Sequence, residues 1–534
     1  MPKQRVIILG GGFAGVYTAI HLERLLRRRN DVEVVLVSRE NYLVFQPMLA
    51  EVISGNLGIL DTVAPIRRLL PRTRLFTREV RRIDAEARTV TLSPGFEPVE
   101  TVLSWDHLVV ALGNVTDFRK MPGLHDHAMP FKNLGDALRL RDHLIHVLGE
   151  AAVAEDPELR KHLLTFVVGG GGFSGVEVCA ELNDFVRKCG KKYFHLDPEE
   201  IRVILVHSEE RILDREMPEH LGLYAQDLLR KRGVEFMFNI RLETATPEFA
   251  VLNDGQRIPT RTLISSVPSS PNPVIPETDL PQERGRIKSS LTMQVEETPH
   301  VWALGDCALV PSPTGEGFCP PTAQFAIREA TTCANNLLAV IDGRPLSQFA
   351  FSELGKMASL GHRRAIARIF DRINLHGFVA WIFWRGVYWS KLPGLDRKIK
   401  VGASWMLDLL CGPDLVQTRL DAPLPVTEEH YEPGELIVRP GEMGNRLRII
   451  TSGTARIVQG QGDNERVIAE LGAGQCFGAD DFLDDTSVSM TVRCQEPLTL
   501  VSYRKKELEP LLTLKAVQEG FEKLRLPGKG ECEP

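Results

Sequence analysis

A chain of 534 residues exceeds what one hydrophobic core usually holds, so two to four domains are expected. Hydrophobic residues make up 43% and charged residues 25%, ordinary globular usage that excludes a disordered or collagen-like chain. The net charge of −6 gives no reason to expect nucleic acid as a partner.

The opening residues Met1-Pro2-Lys3-Gln4-Arg5 run directly into an apolar stretch and leave no room for a signal peptide. Val6-Ile7-Ile8-Leu9 is a short β-branched run that ends in Gly10-Gly11-Gly12-Phe13-Ala14-Gly15, after which the pattern turns helical. A second copy lies 160 positions downstream: Phe166-Val167-Val168, then Gly170-Gly171-Gly172-Phe173-Ser174-Gly175-Val176-Glu177. Each copy is followed by another buried-strand run, at 32–37 and at 201–206. Strand, glycine-rich turn, helix and strand, occurring twice, predict two βαβ nucleotide-binding units with parallel sheets. The runs at 108–113 and 301–306 repeat the style of a strand ending in small residues, so the economical topology inserts the second unit into the first. In G-x-G-x-x-G the first glycine permits the tight turn, the second lets backbone approach a pyrophosphate, and the third lets helix pack on strand.

An acidic residue normally closes the second strand of such a unit and binds ribose hydroxyls. Here Ser38-Arg39-Glu40 and His207-Ser208-Glu209 stand in those places. Ser38 can accept more weakly, and His207 lacks the carboxylate that repels a 2′-phosphate, with Arg211 near. NADH and NADPH are therefore both open.

Residues 355–401 carry ten Lys or Arg against two acids, and four of the six tryptophans (381, 384, 389, 405) lie in or just past this segment. An aromatic helix flanked by cations, lying in the headgroup layer of an anionic lipid surface, fits these observations. No run of about 18 apolar residues reads as a spanning helix. From about residue 421 short β-like runs punctuated by glycine predict a small antiparallel barrel. Nine scattered cysteines without a C-x-x-C pair argue against a disulfide framework, a zinc site or a dithiol centre, so no metal is expected.

The ordered set Gly10-x-Gly12-x-x-Gly15, Phe45-Gln46-Pro47-Met48-Leu49, Ala111-Leu112-Gly113, Gly170-x-Gly172-x-x-Gly175-Val176-Glu177, Leu304-Gly305-Asp306 and Pro320-Pro321-Thr322-Ala323-Gln324 resembles type II, non-proton-pumping NADH:quinone oxidoreductases over residues 1–420. The resemblance implies FAD in the N-terminal unit, held by Gly10, Gly12, Phe13, Ala14, Gly15, Ser38, Arg39, Gln46, Ala111, Gly113, Gly305, Asp306, Ala323 and Gln324. It implies NADH (or NADPH) in the inserted unit, held by Gly170, Gly172, Phe173, Ser174, Gly175, Glu177 and His207. Glu177, Gln46 and Gln324 are the catalytic candidates, Glu177 beside the nicotinamide and the two glutamines on the quinone side. Pro320 and Pro321 suit the first turn of a helix whose positive end stabilises negative charge on the flavin. Arg328 replaces an amide of the family pattern.

A separate resemblance covers the last hundred residues. Tyr431-Glu432-Pro433-Gly434, Arg439-Pro440-Gly441 and Gly474-Gln475-Cys476-Phe477-Gly478 look like a cyclic-nucleotide-binding β-roll. Ala479 and Val488 stand where ligand-binding members carry a glutamate and an arginine, so binding of a cyclic nucleotide is not expected.

The fold expected is α/β: two Rossmann-type dinucleotide-binding domains, one inserted in the other, an amphipathic helical membrane-associating segment and a C-terminal β-roll. The divisions are 1–160 and 296–345 (FAD), 161–295 (NAD(P)H), 346–420 (membrane association), 421–515 (β-roll) and a tail at 516–534. The protein is expected peripherally on the cytoplasmic face of the cell membrane, with a membrane quinone as partner and a homodimer consistent with the resemblance. Two other readings share these motifs: a sulfide:quinone oxidoreductase, which needs paired cysteines at the flavin, and a redox- or nucleotide-responsive regulator with little turnover.

Overall fold

The computed structural model describes residues 3–116, 118, 121–266, 269–315, 317–408, 415–417, 426–442, 446–459, 466–479, 488 and 490–504. The tail expected at 516–534 lies outside them.

The architecture is α/β. The first sheet has the strand order Gln294–Val295, Thr298–Ala303, His107–Val110, Gln4–Leu9, Val32–Ser38, Arg74–Thr77. All its pairings are parallel except the edge strand Gln294–Val295. Val6, Ile7, Ile8 and Leu9 are wholly buried, as a central strand covered on both faces requires. The second sheet has the order Ala128–Pro130, Thr262–Ser265, Thr165–Gly169, Arg202–Val206, Val234–Met237, again parallel throughout. Its strands all fall between His107–Val110 and Gln294–Val295 in chain order.

Six helices position the site: α1 (Phe13–Leu25), α2 (Leu134–Val153), α3 (Phe173–Tyr193), α4 (Ala323–Ile341), α5 (Gly377–Lys391) and α6 (Leu395–Asp408). Helices α1 and α3 start directly behind the two glycine turns, capped by Gly12 and Gly172 in extended backbone with no side-chain cap. A capping box opens α2: the Asn133 side chain accepts from the Asp136 N–H while the Asp136 carboxylate accepts from the Asn133 N–H. The N-cap of α4 is Thr322, so Pro320 and Pro321 precede the helix instead of occupying its first turn as expected. They end the incoming extended chain, where a missing N–H costs nothing.

The basic segment is not helical throughout. Its first part is an antiparallel sheet of Gly355–Ser359, Ala365–Ile369 and Ile373–His376, which carries Lys356 and Arg368; only then do α5 and α6 follow. Both helices present apolar side chains to the outside, among them Val379, Ile382, Leu395, Ile399 and Met406. Among the described residues no helix is long and apolar enough to cross a membrane.

The C-terminal β-roll is two four-stranded antiparallel sheets around Tyr431, Ile450, Ile457, Val492 and Leu500. It docks on the second α/β unit, where Thr246 donates to Glu435 at 3.0 Å and Arg439 pairs with Glu248 at 3.0 Å.

Candidate active site

Both glycine turns need their glycines for the same two reasons. Gly10 (φ +117°) and Gly170 (φ +109°) lie where side chains are strained, and a Cβ at Gly10 would strike the Ala111 carbonyl. A Cβ at Gly15 or Gly175 would strike the carbonyl of Gly10 or Gly170, so each helix sits hard against its own turn. The middle glycines differ. Gly12 faces open space, and the first N–H groups of α1 face it without intrahelical partners, as a pyrophosphate requires. Over Gly172 the Glu216 carboxylate lies 2.8 Å from where a Cβ would stand. Burial raises the pKa of Glu216, and the nearby Asp214 adds to the rise.

One cavity of about 1440 Å³ lies where the two units meet. Of the sequence-derived residues it gathers Phe13, Gln46, Phe173, Ser174, Glu177, Ala323 and Gln324. The others do not line it. Gly10, Gly12, Ala14, Gly15, Ser38, Arg39, Ala111, Gly113, Gly305 and Asp306 sit at the carboxyl edge of the first sheet, the position at which such sheets bind ligands. A Cβ at Gly305 would lie 3.0 Å from the Ala14 Cβ, which shows how closely that edge is drawn together. Gly170, Gly172, Gly175 and His207 hold the matching edge of the second sheet.

The helix α4 enters this cavity by its N-terminus. Thr322, Ala323 and Gln324 line it, the Thr322 hydroxyl is buried without a hydrogen-bond partner, and the first N–H groups are free of intrahelical acceptors. Such an end suits the polar edge of a flavin. The Gln324 amide is held in place: Nε2 donates to Glu353 (3.0 Å) and the Gly355 carbonyl (3.3 Å), and Oε1 accepts from the Leu354 N–H. Gln46 Nε2 donates to the Lys132 carbonyl. Arg328 also lines the cavity and stacks on Phe351.

Glu177 is the electrostatic centre. Burial pushes its carboxyl up to about 8, opposed by a hydrogen bond from the Ser359 N–H at 2.9 Å and reinforced by Glu51. Tyr388 of α5 lines the same cavity with its phenol pushed upward, first by burial and then by Glu177. Phe45 packs edge-on between Phe13 and Tyr388, with centroids 5.9 and 6.1 Å away, so the apolar wall is continuous from α1 to α5.

Sequence reasoning missed two of the three polar groups in a chain that ends on Asp306. Lys132 Nζ donates to the Asn114 carbonyl at 2.6 Å and to the Asn114 side chain, whose Nδ2 donates to Asp306 at 3.1 Å. Burial lowers Lys132 to about 8 and raises Asp306. Glu329, raised to about 7 by burial, accepts from the Gly305 N–H at 2.8 Å. No motif marks Asn114, Lys132 or Glu329, which sit in three distant stretches of chain.

One expectation about nucleotide choice changes. Arg211 is not available to a 2′-phosphate, because its guanidinium donates to the carbonyls of Ile212, Leu213, Asp214 and Met217. The Ser38 hydroxyl donates to the Glu40 carbonyl at 2.6 Å, which leaves its oxygen able to accept. His207 is built into its turn: Nδ1 accepts from the Gly171 N–H at 3.1 Å and Nε2 faces Asp214 at 3.2 Å. None of the described cysteines lines the cavity, and among the described residues no cluster could hold a metal ion. Ala479 is buried.

Comparison with known proteins covers the same ground. Residues 4–330 match the pyridine nucleotide-disulphide oxidoreductase family, residues 354–414 the NDH2 C-terminal domain, and residues 428–514 the cyclic nucleotide-binding domain. The chain is 30% identical over 411 residues to demethylphylloquinone reductase NdbB of Synechocystis, covering 76% of this chain and 96% of that one. It is 27% identical over 449 residues to the internal alternative NAD(P)H-ubiquinone oxidoreductase A1, mitochondrial, of Solanum tuberosum (77% and 88% covered). It is 26% identical over 375 residues to a type II NADH:quinone oxidoreductase of Staphylococcus aureus (69% and 90% covered). In three dimensions it resembles NDH2 from Plasmodium falciparum in complex with NADH, with a TM-score of 0.72 at 18% identity over 78% of this chain and all of that one. That likeness concerns the fold.

Proposed function

The chain belongs to the pyridine nucleotide-disulphide oxidoreductase family, and on that premise we propose that it is a type II NADH:quinone oxidoreductase, taking a hydride from NADH and delivering two electrons to a quinone through bound FAD. The observation that carries this reading is the single cavity into which the helices behind both glycine turns and the N-terminus of α4 all open. FAD, when bound, supplies the chemistry of accepting a hydride and releasing electrons.

The residues of this chain bind, orient and hold protons. Gly10, Gly12, Phe13, Ala14 and Gly15 cradle the FAD pyrophosphate, and Ser38 and Arg39 border its ribose. Ala111, Gly113 and Gly305 let backbone come close, and Asp306, fixed by Asn114 and Lys132, holds the ribityl chain. The N–H groups of Ala323 and Gln324 meet negative charge at the flavin's edge. Gly170, Gly172, Phe173, Ser174, Gly175 and His207 receive the nicotinamide nucleotide. Arg211 is taken by four carbonyls, while Arg215, 75% exposed and paired with Glu209 at 2.5 Å and Asp214 at 3.6 Å, brings a cation to the same turn, so NADH and NADPH are both compatible with it. Gln46 and Gln324 border the quinone. Glu177 keeps its proton at neutral pH and gives it to a quinone oxygen.

The quinone enters from α5 and α6. Their exposed apolar residues, with Lys391, Lys398 and Lys400 beside them, suit the headgroup layer of an anionic membrane on the cytoplasmic face, with residues 355–401 as the contact. A homodimer is compatible with this reading. The β-roll serves as a docked interaction domain and takes no cyclic nucleotide. The sulfide:quinone reading is disfavoured by the absence of cysteine from the cavity wall among the described residues, and the regulatory reading by the completeness of the site.

Anaerobic titration tests the proposal. NADH should bleach the flavin absorbance, and a ubiquinone or menaquinone analogue should restore it. Spectra unchanged in both steps, or protein colourless after reconstitution with FAD, would overturn it.

A further inference from the structure

A hydride carries one proton and two electrons, so a ring that accepts it gains one negative charge. A protein cation held against that ring favours the charged state and thereby sets the cofactor's potential. Resting on the flavin reading above, we propose that Lys132, a residue of the second α/β unit, places its ammonium against the flavin ring and holds FAD more tightly once it is reduced.

Lys132 lies between the edge strand Ala128–Pro130 of the second sheet and the start of α2. Its backbone is pinned from both sides. The N–H donates to the Asp136 carboxylate at 2.9 Å, and the carbonyl accepts from Gln46 Nε2 at 3.3 Å. Asp136 is the acid of the capping box that opens α2, so the helix start fixes where the lysine begins. The side chain then reaches towards the first unit. Nζ donates to the Asn114 carbonyl at 2.6 Å and to the Asn114 side chain, and Asn114 Nδ2 donates to Asp306 at 3.1 Å. Asn114 opens the short strand Asn114–Thr116, which pairs antiparallel with Ser269–Pro271. Those two strands lie on the outgoing and returning passages between the sheets. The chain Lys132, Asn114, Asp306 therefore runs from the second unit, over the crossing ribbon, into the first.

An ammonium has three N–H groups and no acceptor, and Asn114 takes two of them on neutral oxygens. Lys132 lines the cavity of about 1440 Å³, so the third is left for what fills that space. Among the described residues the nearest acid along this chain, Asp306, is reached only through an amide. The part of FAD that meets the lysine follows from the cavity wall. The pyrophosphate belongs to the first glycine turn, and Gly10, Gly12 and Gly15 do not line the cavity. Lys132 shares the wall with Gln46, Ala323 and Gln324, the residues that border the ring. Its charge therefore acts on the ring and not on the phosphates.

The cation persists there. Burial lowers Lys132 to about 8, and Asp306 and Asp136 oppose the drop, so the side chain stays charged at neutral pH. A partly buried charge is screened less than one on the surface, so it acts strongly on a ring beside it. The N-terminus of α4 offers the same ring a partial positive charge, and Lys132 adds a full one. Both are fixed before the hydride arrives, which spares any reorganisation at that moment. Because the lysine belongs to the second unit, the potential of the flavin depends on how that unit is tied to the first through Asn114.

The midpoint potential of the full chain loaded with FAD tests this, measured by dithionite reduction against a reference dye, with neither NADH nor quinone present. Lys132→Met keeps the length of the side chain and removes the charge. It should weaken binding of reduced FAD relative to oxidised FAD at least about tenfold, which lowers the midpoint by about 30 mV. Lys132→Arg keeps a cation and should recover most of that shift. Asn114→Ala removes one of the two acceptors that aim the ammonium and should fall between wild type and Lys132→Met. Fluorescence titration of the FAD-free proteins with oxidised FAD should give dissociation constants within about threefold of one another. A midpoint unchanged in Lys132→Met, or lowered as far in Lys132→Arg, would overturn the inference and leave the proposed function standing. A Lys132→Met protein that no longer binds oxidised FAD would also overturn it, because the lysine would then hold the cofactor in both states alike. Wild-type flavin that NADH never bleaches would sink the function itself.

Discussion

Glu177→Gln is the sharpest single test of how burial sets the chemistry of this site. The substitution keeps the shape of the side chain and an oxygen to accept the Ser359 N–H, and removes only the ability to ionise. The carboxyl titrates at about 8 in the folded chain against an ordinary 4.5, and burial is the first cause. One pKa unit is about 1.36 kcal/mol, so the ceiling on the linked stability is about 5 kcal/mol. Because the side chain lines a cavity and keeps some contact with its water, roughly 2–3 kcal/mol is expected after screening. Between the unfolded and folded values the folded state holds a proton that the unfolded state has released. Wild-type stability therefore falls as pH rises from about 4.5 to about 8, and is flat on this account beyond either limit. Glu177→Gln should match wild type below that window and exceed it by roughly 2–3 kcal/mol above it. Urea denaturation of the FAD-free protein, followed through the transition that exposes α3 at three pH values spanning the window, measures the difference. A gap between the two proteins that does not change with pH would refute the claim that this carboxyl is neutral in the folded chain. In the loaded enzyme the same variant should lose about 100-fold in quinone reduction, the usual scale of a missing general acid.

Gly12→Ala should leave the unfolding free energy within about 0.5 kcal/mol, since its Cβ meets nothing within 4 Å, yet purify with little flavin because the methyl stands in the pyrophosphate's place; full flavin content by absorbance would contradict the placement of FAD in the first unit. Gly172→Val should abolish bleaching by NADH while FAD stays bound, and loss of flavin in that variant would mean that the two units are assigned the wrong way round. Ile382→Glu with Ile399→Glu changes two exposed side chains, 53% and 63% accessible, so the melting curve should hold while pelleting with anionic vesicles drops; unchanged pelleting would remove α5 and α6 from the membrane contact. A fluorescent cyclic AMP analogue should show no saturable binding to the full chain, and a saturable signal displaced by cyclic AMP would reverse the reading of Ala479 and Val488.

The elements read most reliably from sequence are those whose backbone requirement is local. Gly10 and Gly170 announce themselves because no side chain tolerates their turns. The strands beside the turns are legible for a related reason: a strand covered on both faces must be apolar at every position. Short-range signals mislead where a partner lies elsewhere in the chain. Arg211 looks free for a phosphate until the turn after it folds back and offers four carbonyls. Two prolines look like a first turn until Thr322 takes the cap.

Packing over long distances along the chain decided the rest. Lys132, Asn114 and Asp306 come from three separated segments and acquire their relation only when both sheets close around one cavity. Glu177, Glu181 and Asp184 are visible as a helical row in any reading of the sequence, but such a row is normally a solvated face. Only the tertiary structure buries it against Glu51, α5 and α6, and desolvation, which no spacing encodes, raises all three carboxyls, so that Glu177 and Glu181 keep their protons at neutral pH while Asp184, at about 6, is mostly ionised.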